Sequence, residues 1–488
     1  MATFFSDYFG FDPKLLDAYG AFNVSIINDL PLFIDPFLLF NSEKAEYQQL
    51  HDDMIRYLVF LRDKAASGVA SDARLRLWYC FPEIRQNWLG FSVSGNKGSG
   101  LGIDFARVLH GSLHRVFHDF GKERITEGSH LEKVCLIADG VGRDNISDFT
   151  TNLIKDYLCR YTQEFSRLHM KEADTRLVAI NNVRFNFETA TWQRGRYRLP
   201  WVNGDYVILT PRDILTRDDN WINRSDLVDG FENIPVAIPD AQLREQVSEY
   251  FKSVLVRHED REPSRKERAD AAADTLLRFP QLIDYYIKLK EDQGEEAVSI
   301  SSEKVLATEH FFIRQLKELQ QALLAKSDFY KHGRDTYEEA HARLGFLKDV
   351  IENKGGHRIF YDQGKAIERE KDLQILYRLV WYGTPSDVGM EANDGRGPVD
   401  FKVSRGRDKT LVEMKLAKNK HLERNLEKQV PIYQKASDAP NAIKAIIFFT
   451  FEEEQRVLNI LKKLKLTGHK DIVLIDARDD NKPSGSKA

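Results

Sequence analysis

Residues 45–66 set Met54, Tyr57, Leu58 and Leu61 at three- and four-residue intervals, so the spacing predicts one long helix from Ala45 to Ala66. Arg74-Leu-Arg-Leu-Trp-Tyr-Cys-Phe81 alternates, then runs apolar until Pro82, and reads as a strand. Ile146 to Phe165 reads as helical, and Val183 to Phe187 and Asp205 to Thr210 read as strands. From about 240 to 355 the pattern turns almost wholly helical. Within it, Phe311, Ile313, Leu316, Leu319 and Leu323 recur near helical spacing between Thr308 and Lys326. Beyond 356 helix and strand alternate again. Ala366 to Tyr382 reads as a helix, and Val399–Val403 and Val412–Leu416 read as strands. A helix then begins near Leu422, followed by an apolar strand at Ala445–Thr450, a helix at about 452–465 and a last strand at Asp471–Asp476.

The pattern predicts a multidomain α/β chain. Residues 1–240 form a mixed α/β domain of undefined topology, suited to recognition or regulation. Residues 241–355 form a helical connector, 356–478 a compact α/β domain, and 479–488 a disordered tail.

Composition narrows the class. The chain has 488 residues, 42% hydrophobic and 30% charged, which suits packed cores and excludes wholesale disorder and fibrous architectures. No stretch approaches the ~18 apolar residues of a membrane span. The first residues lack the basic start of a signal peptide. Cys80, Cys135 and Cys159 are too few for a disulfide framework and too scattered for a zinc knuckle. A cytoplasmic protein without a membrane partner is expected. The net charge of −4 argues at first against a nucleic-acid partner. Residues 356–488, however, hold 25 Lys and Arg against 20 Asp and Glu, a net of +5. The preceding residues hold 46 against 55, a net of −9, so a modestly basic domain sits within an acidic chain.

That basic region carries the candidate chemistry. In Gly395-Arg-Gly-Pro-Val-Asp400-Phe-Lys-Val, Val399, Phe401 and Val403 share one strand face and Asp400 takes the other. In Leu411-Val-Glu413-Met-Lys415-Leu, Val412, Met414 and Leu416 take the core face, and Glu413 and Lys415 project opposite. A short hairpin turning near Gly406 brings Asp400 toward Glu413 and Lys415. Two carboxylates suit Mg²⁺, which takes one or two of them with water and phosphate oxygens. A neighbouring lysine can orient a water or stabilise developing negative charge. In the following helix Leu422, Leu426, Gln429 and Tyr433 form one stripe, with Pro431 a source of a kink. The preceding helix bears Glu368, Glu370 and Asp372.

This order of elements resembles the PD-(D/E)xK, or restriction-endonuclease-like, nuclease superfamily. Pro398-Val-Asp400 with Glu413-Met-Lys415 is similar to its core motif, although one residue separates Pro from Asp where the name has none. Gln429 with Tyr433 resembles the helix motif of the QxxxY-bearing branch. The resemblance covers about a quarter of the chain and rests on joint order and spacing. It implies a central mixed sheet flanked by helices. It implies that Asp400, Glu413 and an acid of the first helix, Glu370 or Glu368, bind Mg²⁺, with Mn²⁺ as substitute. Lys415 would assist the attacking water, and Gln429 and Tyr433 would support the site or touch nucleic acid. The implied activity is metal-dependent phosphodiester hydrolysis, in DNA rather than RNA.

The large N-terminal block suits a bacterial antiphage or restriction effector, with self-association or a defence-system partner protein compatible with the helical connector. The alternative is a catalytically silent nucleic-acid-binding or scaffold protein that keeps the nuclease fold.

Weaker signals remain. Gly95–Gly102 reads as a flexible glycine loop lacking a P-loop ending. His110, His114 and His118 share a helix face without further ligands. Trp192–Trp201 interleaves aromatics with arginines, as single-strand-binding surfaces do and as a hairpin with a charged outer face does. Asp29 and Asp35 read as turn residues, and Asp139–Asp144 as a loop.

Overall fold

The computed structural model describes the chain except residues 1–3, 27–28, 69–70, 91–100, 117–119, 138–142, 218, 257, 259–260, 310–334, 354–355, 363–364, 367–376, 378–380, 382–386, 394–397, 407, 430–440 and 483–488. The described chain is mixed α/β with several sheets. Strands β1 (Phe33–Ile34) and β5 (Leu215–Thr216) form an antiparallel pair, and β2 (Thr175–Asn186), β3 (Thr191–Val202) and β4 (Asp205–Tyr206) form an antiparallel meander. Strands β6 (Tyr361–Asp362) and β7 (Lys365–Ala366) make a small ladder. The largest sheet contains β8 (Asp387–Asn393), β9 (Pro398–Arg405), β10 (Asp408–Leu416), β11 (Asn441–Phe448) and β12 (Ile472–Asp476), in the order β12-β11-β10-β9-β8. Within it β8–β9–β10 are antiparallel, and β10–β11–β12 are parallel.

The Ala45–Ala66 helix buries Tyr47, His51, Met54, Tyr57, Leu58, Leu61 and Ala65, an apolar stripe at helical spacing. Three local expectations are corrected. Residues 74–78 belong to the Asp72–Trp78 helix, in which Leu75 and Trp78 are buried and Leu77 is 44% exposed. The alternation of Arg and Leu fits either period. The core accepts positions 75 and 78, which only a helix puts on one side. The helix expected over 146–165 divides at Ile154 into Arg143–Leu153 and Lys155–His169. The strand expected over 205–210 stops at Tyr206. The Val207 amide still bonds Pro200 O opposite it, and the next two amides leave the ladder, Ile208 for Gln86 O and Leu209 for Thr162 Oγ1.

The helical segment after residue 240 has two allegiances. Leu282, Ile283, Tyr286, Ile287 and Ala297 pack into one core with Tyr57, Leu58, Phe149 and Phe231. Glu291, at the end of the Leu282–Glu291 helix, accepts from the amides of Glu127 and Gly128 and lies 2.9 Å from His130 Nε2. The Thr336–Asn353 helix instead covers the large sheet, with Leu344 and Leu347 in the same core as Val403, Val412, Met414, Ile443 and Ile447. The opposite sheet face packs Ile446 and Phe448 against Val457 and Leu461 of the Phe451–Lys463 helix and against Leu422 and Leu426.

The tail expected from 479 is anchored at its start. Asp479 pairs with His357 at 3.3 Å, and Asn481 and Lys482 both engage Asp476. The three cysteines are free. Among the described residues no helix is long and apolar enough to cross a membrane.

Candidate functional site

Strands β9 and β10 build the site. Gly406 has φ +63°, the left-handed conformation that a tight hairpin turn requires. The register runs from Asp408↔Arg405 to Val412↔Phe401. Phe401, Val403, Val412 and Met414 point into the core, which sends Asp400, Glu413 and Lys415 to the other face. At Asp400 the regular pairing of β9 with β10 gives way to a side-chain bond: the Met414 amide donates to Asp400 Oδ2 at 2.5 Å. Strand β9 stays paired with β8 through Ala392↔Val399 and Asn393↔Pro398. The β9–β10 edge is thus opened at the level of the acids and held there by Asp400 itself.

Lys415 Nζ stands between the two carboxylates, 3.2 Å from Glu413 Oε1 and 3.9 Å from Asp400 Oδ2. The side chains are 7% exposed at Glu413, 14% at Asp400 and 16% at Lys415, so this charge triad is screened from water without being sealed. A fourth group joins them. Lys444 on β11 pairs in register with Glu413 and is buried. Its Nζ donates to Leu426 O at 2.9 Å. Burial pushes its ammonium below the ordinary lysine range, and the charges of Glu413 and Asp471 offset part of that fall. Periodicity gives no weight to Lys444, because the uninterrupted apolar run begins at Ala445. The available signal was one charge interrupting Ala442–Phe448.

Leu426 lies in an unusual turn. Leu422–Arg424 is α-helical, and Asn425–Gln429 winds as a π-helix. This departs from the uniform stripe expected through Leu422, Leu426 and Gln429, since i→i+5 winding changes the angular phase of each later residue. Leu422 and Leu426 still enter the core. Gln429 is placed by its backbone at the end of the π-turn. Tyr433 and the acids Glu368 and Glu370 lie outside the described residues, so Asp400, Glu413 and Lys415 are the predicted site residues brought together here.

Among the described residues no group of three or more His, Cys, Asp or Glu side chains forms a metal cluster. Asp400 and Glu413 supply two hard oxygen donors at one strand end. That chemistry fits Mg²⁺, which completes its shell with water or phosphate oxygens.

Other sequence signals find structural uses. Asp35 is a buried helix cap rather than an exposed turn residue: it accepts from the Phe37 and Trp221 amides. Its carboxyl is pushed up by burial, as is that of neighbouring Glu132. Asp29 is also buried. His110 and His114 lie on the Ile103–Val116 helix, with His110 edge-on to Tyr79, and His118 lies outside the described residues. So do residues 95–100 of the glycine loop and 139–142 of the loop before Asp144.

Residues 10–223 match the model of a domain of unknown function, DUF8370. Residues 336–451, which include Asp400, Glu413, Lys415 and Lys444, match a second domain of unknown function, DUF8371. No curated protein and no solved structure matches the chain.

Proposed function

We propose that the chain is a metal-dependent nuclease that hydrolyses phosphodiester bonds, in DNA rather than RNA, with the N-terminal block recognising or regulating as part of an antiphage or restriction effector. The observation that carries this reading is the convergence of Asp400, Glu413 and Lys415, with Lys415 Nζ 3.2 and 3.9 Å from the two carboxylates, where the β9–β10 edge opens. Asp400 and Glu413 would hold Mg²⁺ or Mn²⁺, with Glu370 or Glu368 as a further carboxylate. The metal supplies Lewis acidity toward the phosphate and lowers the pKa of a bound water. Lys415, moved off the carboxylates, would orient the attacking water or neutralise charge building on the phosphate oxygens. Lys444 would hold Glu413 in place through its position across the parallel ladder. Gln429 and Tyr433 would support the site from the following segment.

Plasmid and linear DNA incubated with the full-length chain and Mg²⁺ or Mn²⁺ test this, beside Asp400→Ala, Lys415→Ala and an EDTA control. Cleavage by the wild type alone supports it. Equal nicking by all three proteins assigns the activity to a contaminant. DNA binding without cleavage under any metal condition favours the silent scaffold reading.

A further inference from the structure

Arginine occupies alternate positions of β3. Arg194, Arg196 and Arg198 are exposed, while Gly195, Tyr197 and Leu199 between them are buried. The alternation sets the three side chains on one face, with their Cα atoms about 6.8 Å apart along the strand. That is the order of the separation between successive phosphates of an extended nucleic-acid strand.

What stands across from them decides between a solvated face and a binding face. Arg196 pairs with Ala179 and Arg198 with Leu177. Arg194 Nε donates to Asn181 Oδ1 at 3.0 Å. A charged outer face stabilises itself by setting opposite charges across the ladder. Here the facing positions are Leu177, which is 62% exposed, Ala179 and Asn181, none of them acidic. Glu172, before β2, comes within 3.4 Å of Arg198 Nη1, but the carboxylate is 83% exposed and such a pair contributes little in water. Asp156 is turned to Arg184 and Arg160. Like charges held at this spacing without facing acids attract an outside anion.

The strand's tryptophans are engaged elsewhere. Trp192 packs against the apolar core, and Trp201 carries the Arg176 guanidinium at 4.5 Å. The face therefore offers guanidinium groups and little aromatic surface, a chemistry suited to phosphate oxygens rather than to bases.

We propose that the Arg194–Arg196–Arg198 face of the β2–β3 hairpin binds the phosphodiester backbone of nucleic acid, without regard to base sequence, as a contact separate from the Asp400–Glu413 site. The proposal rests on nucleic acid being the ligand of the chain. It is tested by fluorescence anisotropy of a labelled single-stranded oligonucleotide and of its duplex, with the full-length chain in EDTA. The triple variant Arg194→Gln, Arg196→Gln, Arg198→Gln should bind about tenfold or more weakly near ~0.1 M salt, with the log–log salt slope reduced by about 2 to 3. The triple lysine variant should keep most of the affinity, and Arg268→Gln, at an exposed position of the Arg265–Arg278 helix, should keep all of it. Unchanged affinity and slope in the triple glutamine variant, with its circular dichroism intact, overturns the proposal. A wild type that binds neither probe overturns it as well. Because EDTA removes catalysis from the measurement, absence of cleavage in the metal assay would sink the nuclease reading while leaving this one standing.

Discussion

Glu413 and Lys444 stand side by side across the parallel β10–β11 ladder, a buried acid next to a buried amine whose proton is donated to Leu426 O. Lys444→Met should leave that carbonyl without this donor and Glu413 without its neighbour. A loss of about 1–3 kcal/mol in urea denaturation is expected. Cleavage should fall further than the stability change explains, whereas Lys463→Met, on the outer helix, should leave it intact. The lowered lysine pKa adds a sign. The unfolded chain holds this proton more tightly, so the Lys444 contribution to stability rises with pH from its depressed pKa toward the ordinary lysine value. A Lys444→Met variant that matches the wild type in stability and cleavage would remove Lys444 from the site.

Asp400 has a structural duty besides any chemical one, because Oδ2 accepts the Met414 amide. Asp400→Asn retains an acceptor at that position and Asp400→Ala does not. The alanine variant should be less stable than the asparagine variant by about 1–3 kcal/mol, the cost of a buried amide left unbonded. Both should lose cleavage. Chemical denaturation of the two proteins side by side checks the order, and equal stabilities would contradict it.

His51 is buried between Phe40 and His130, with ring centroids 5.2 and 5.9 Å away, and His130 is itself paired with Glu291. Burial, then the His130 charge, pushes the His51 imidazole down to about 3. Between that value and the ordinary histidine pKa the unfolded chain binds the extra proton, so His51 lowers stability as pH falls through this window. From pH 7 to pH 5 the stability difference between wild type and His51→Gln should move in the variant's favour by about 2 kcal/mol. Denaturation midpoints at the two pH values measure it. A difference independent of pH would show that His51 titrates normally.

Gly195 makes room for Tyr197. A Cβ at 195 would lie 2.3 Å from the Tyr197 hydroxyl and 2.5 Å from its ring, and that hydroxyl bonds Asp156. Gly195→Ala should displace the tyrosine, break its bond to Asp156 and cost about 1–3 kcal/mol. The change is on the face opposite the three arginines. Thermal unfolding should therefore shift while DNA affinity at low temperature holds.

The parts of the fold legible in the sequence are those where one period dominates. Asp400 opposite Phe401, and Glu413 with Lys415 opposite Met414, follow from period two alone. The Ala45–Ala66 helix follows from its long apolar stripe. Short segments were less legible. Arg74–Trp78 satisfies two periods at once, and only the surrounding core selects the helix. Asp35 looks like a turn residue until Trp221, distant in sequence, brings its amide to the carboxylate. The π-turn at Asn425–Gln429 changes a stripe that a uniform α-period would continue. Lys444 escaped because its importance comes from strand order: β11 must lie beside β10 before a lysine in an apolar run means anything chemical.

The carboxylate of Glu291 holds the amides of Glu127 and Gly128 and the ring of His130, reaching back more than 160 positions to do so. A fragment cut at residue 223, where the first family match ends, would keep the gripped loop and discard the grip. It would also strip Ile283, Tyr286 and Ile287 from the core they share with Tyr57 and Leu58, presenting that apolar surface to solvent. The family match therefore ends before the residues that complete the packing of its own core. An N-terminal piece that keeps this grip has to extend past Glu291, and through Glu309 to keep whole the Gly294–Glu309 helix, whose Val305 joins the neighbouring core.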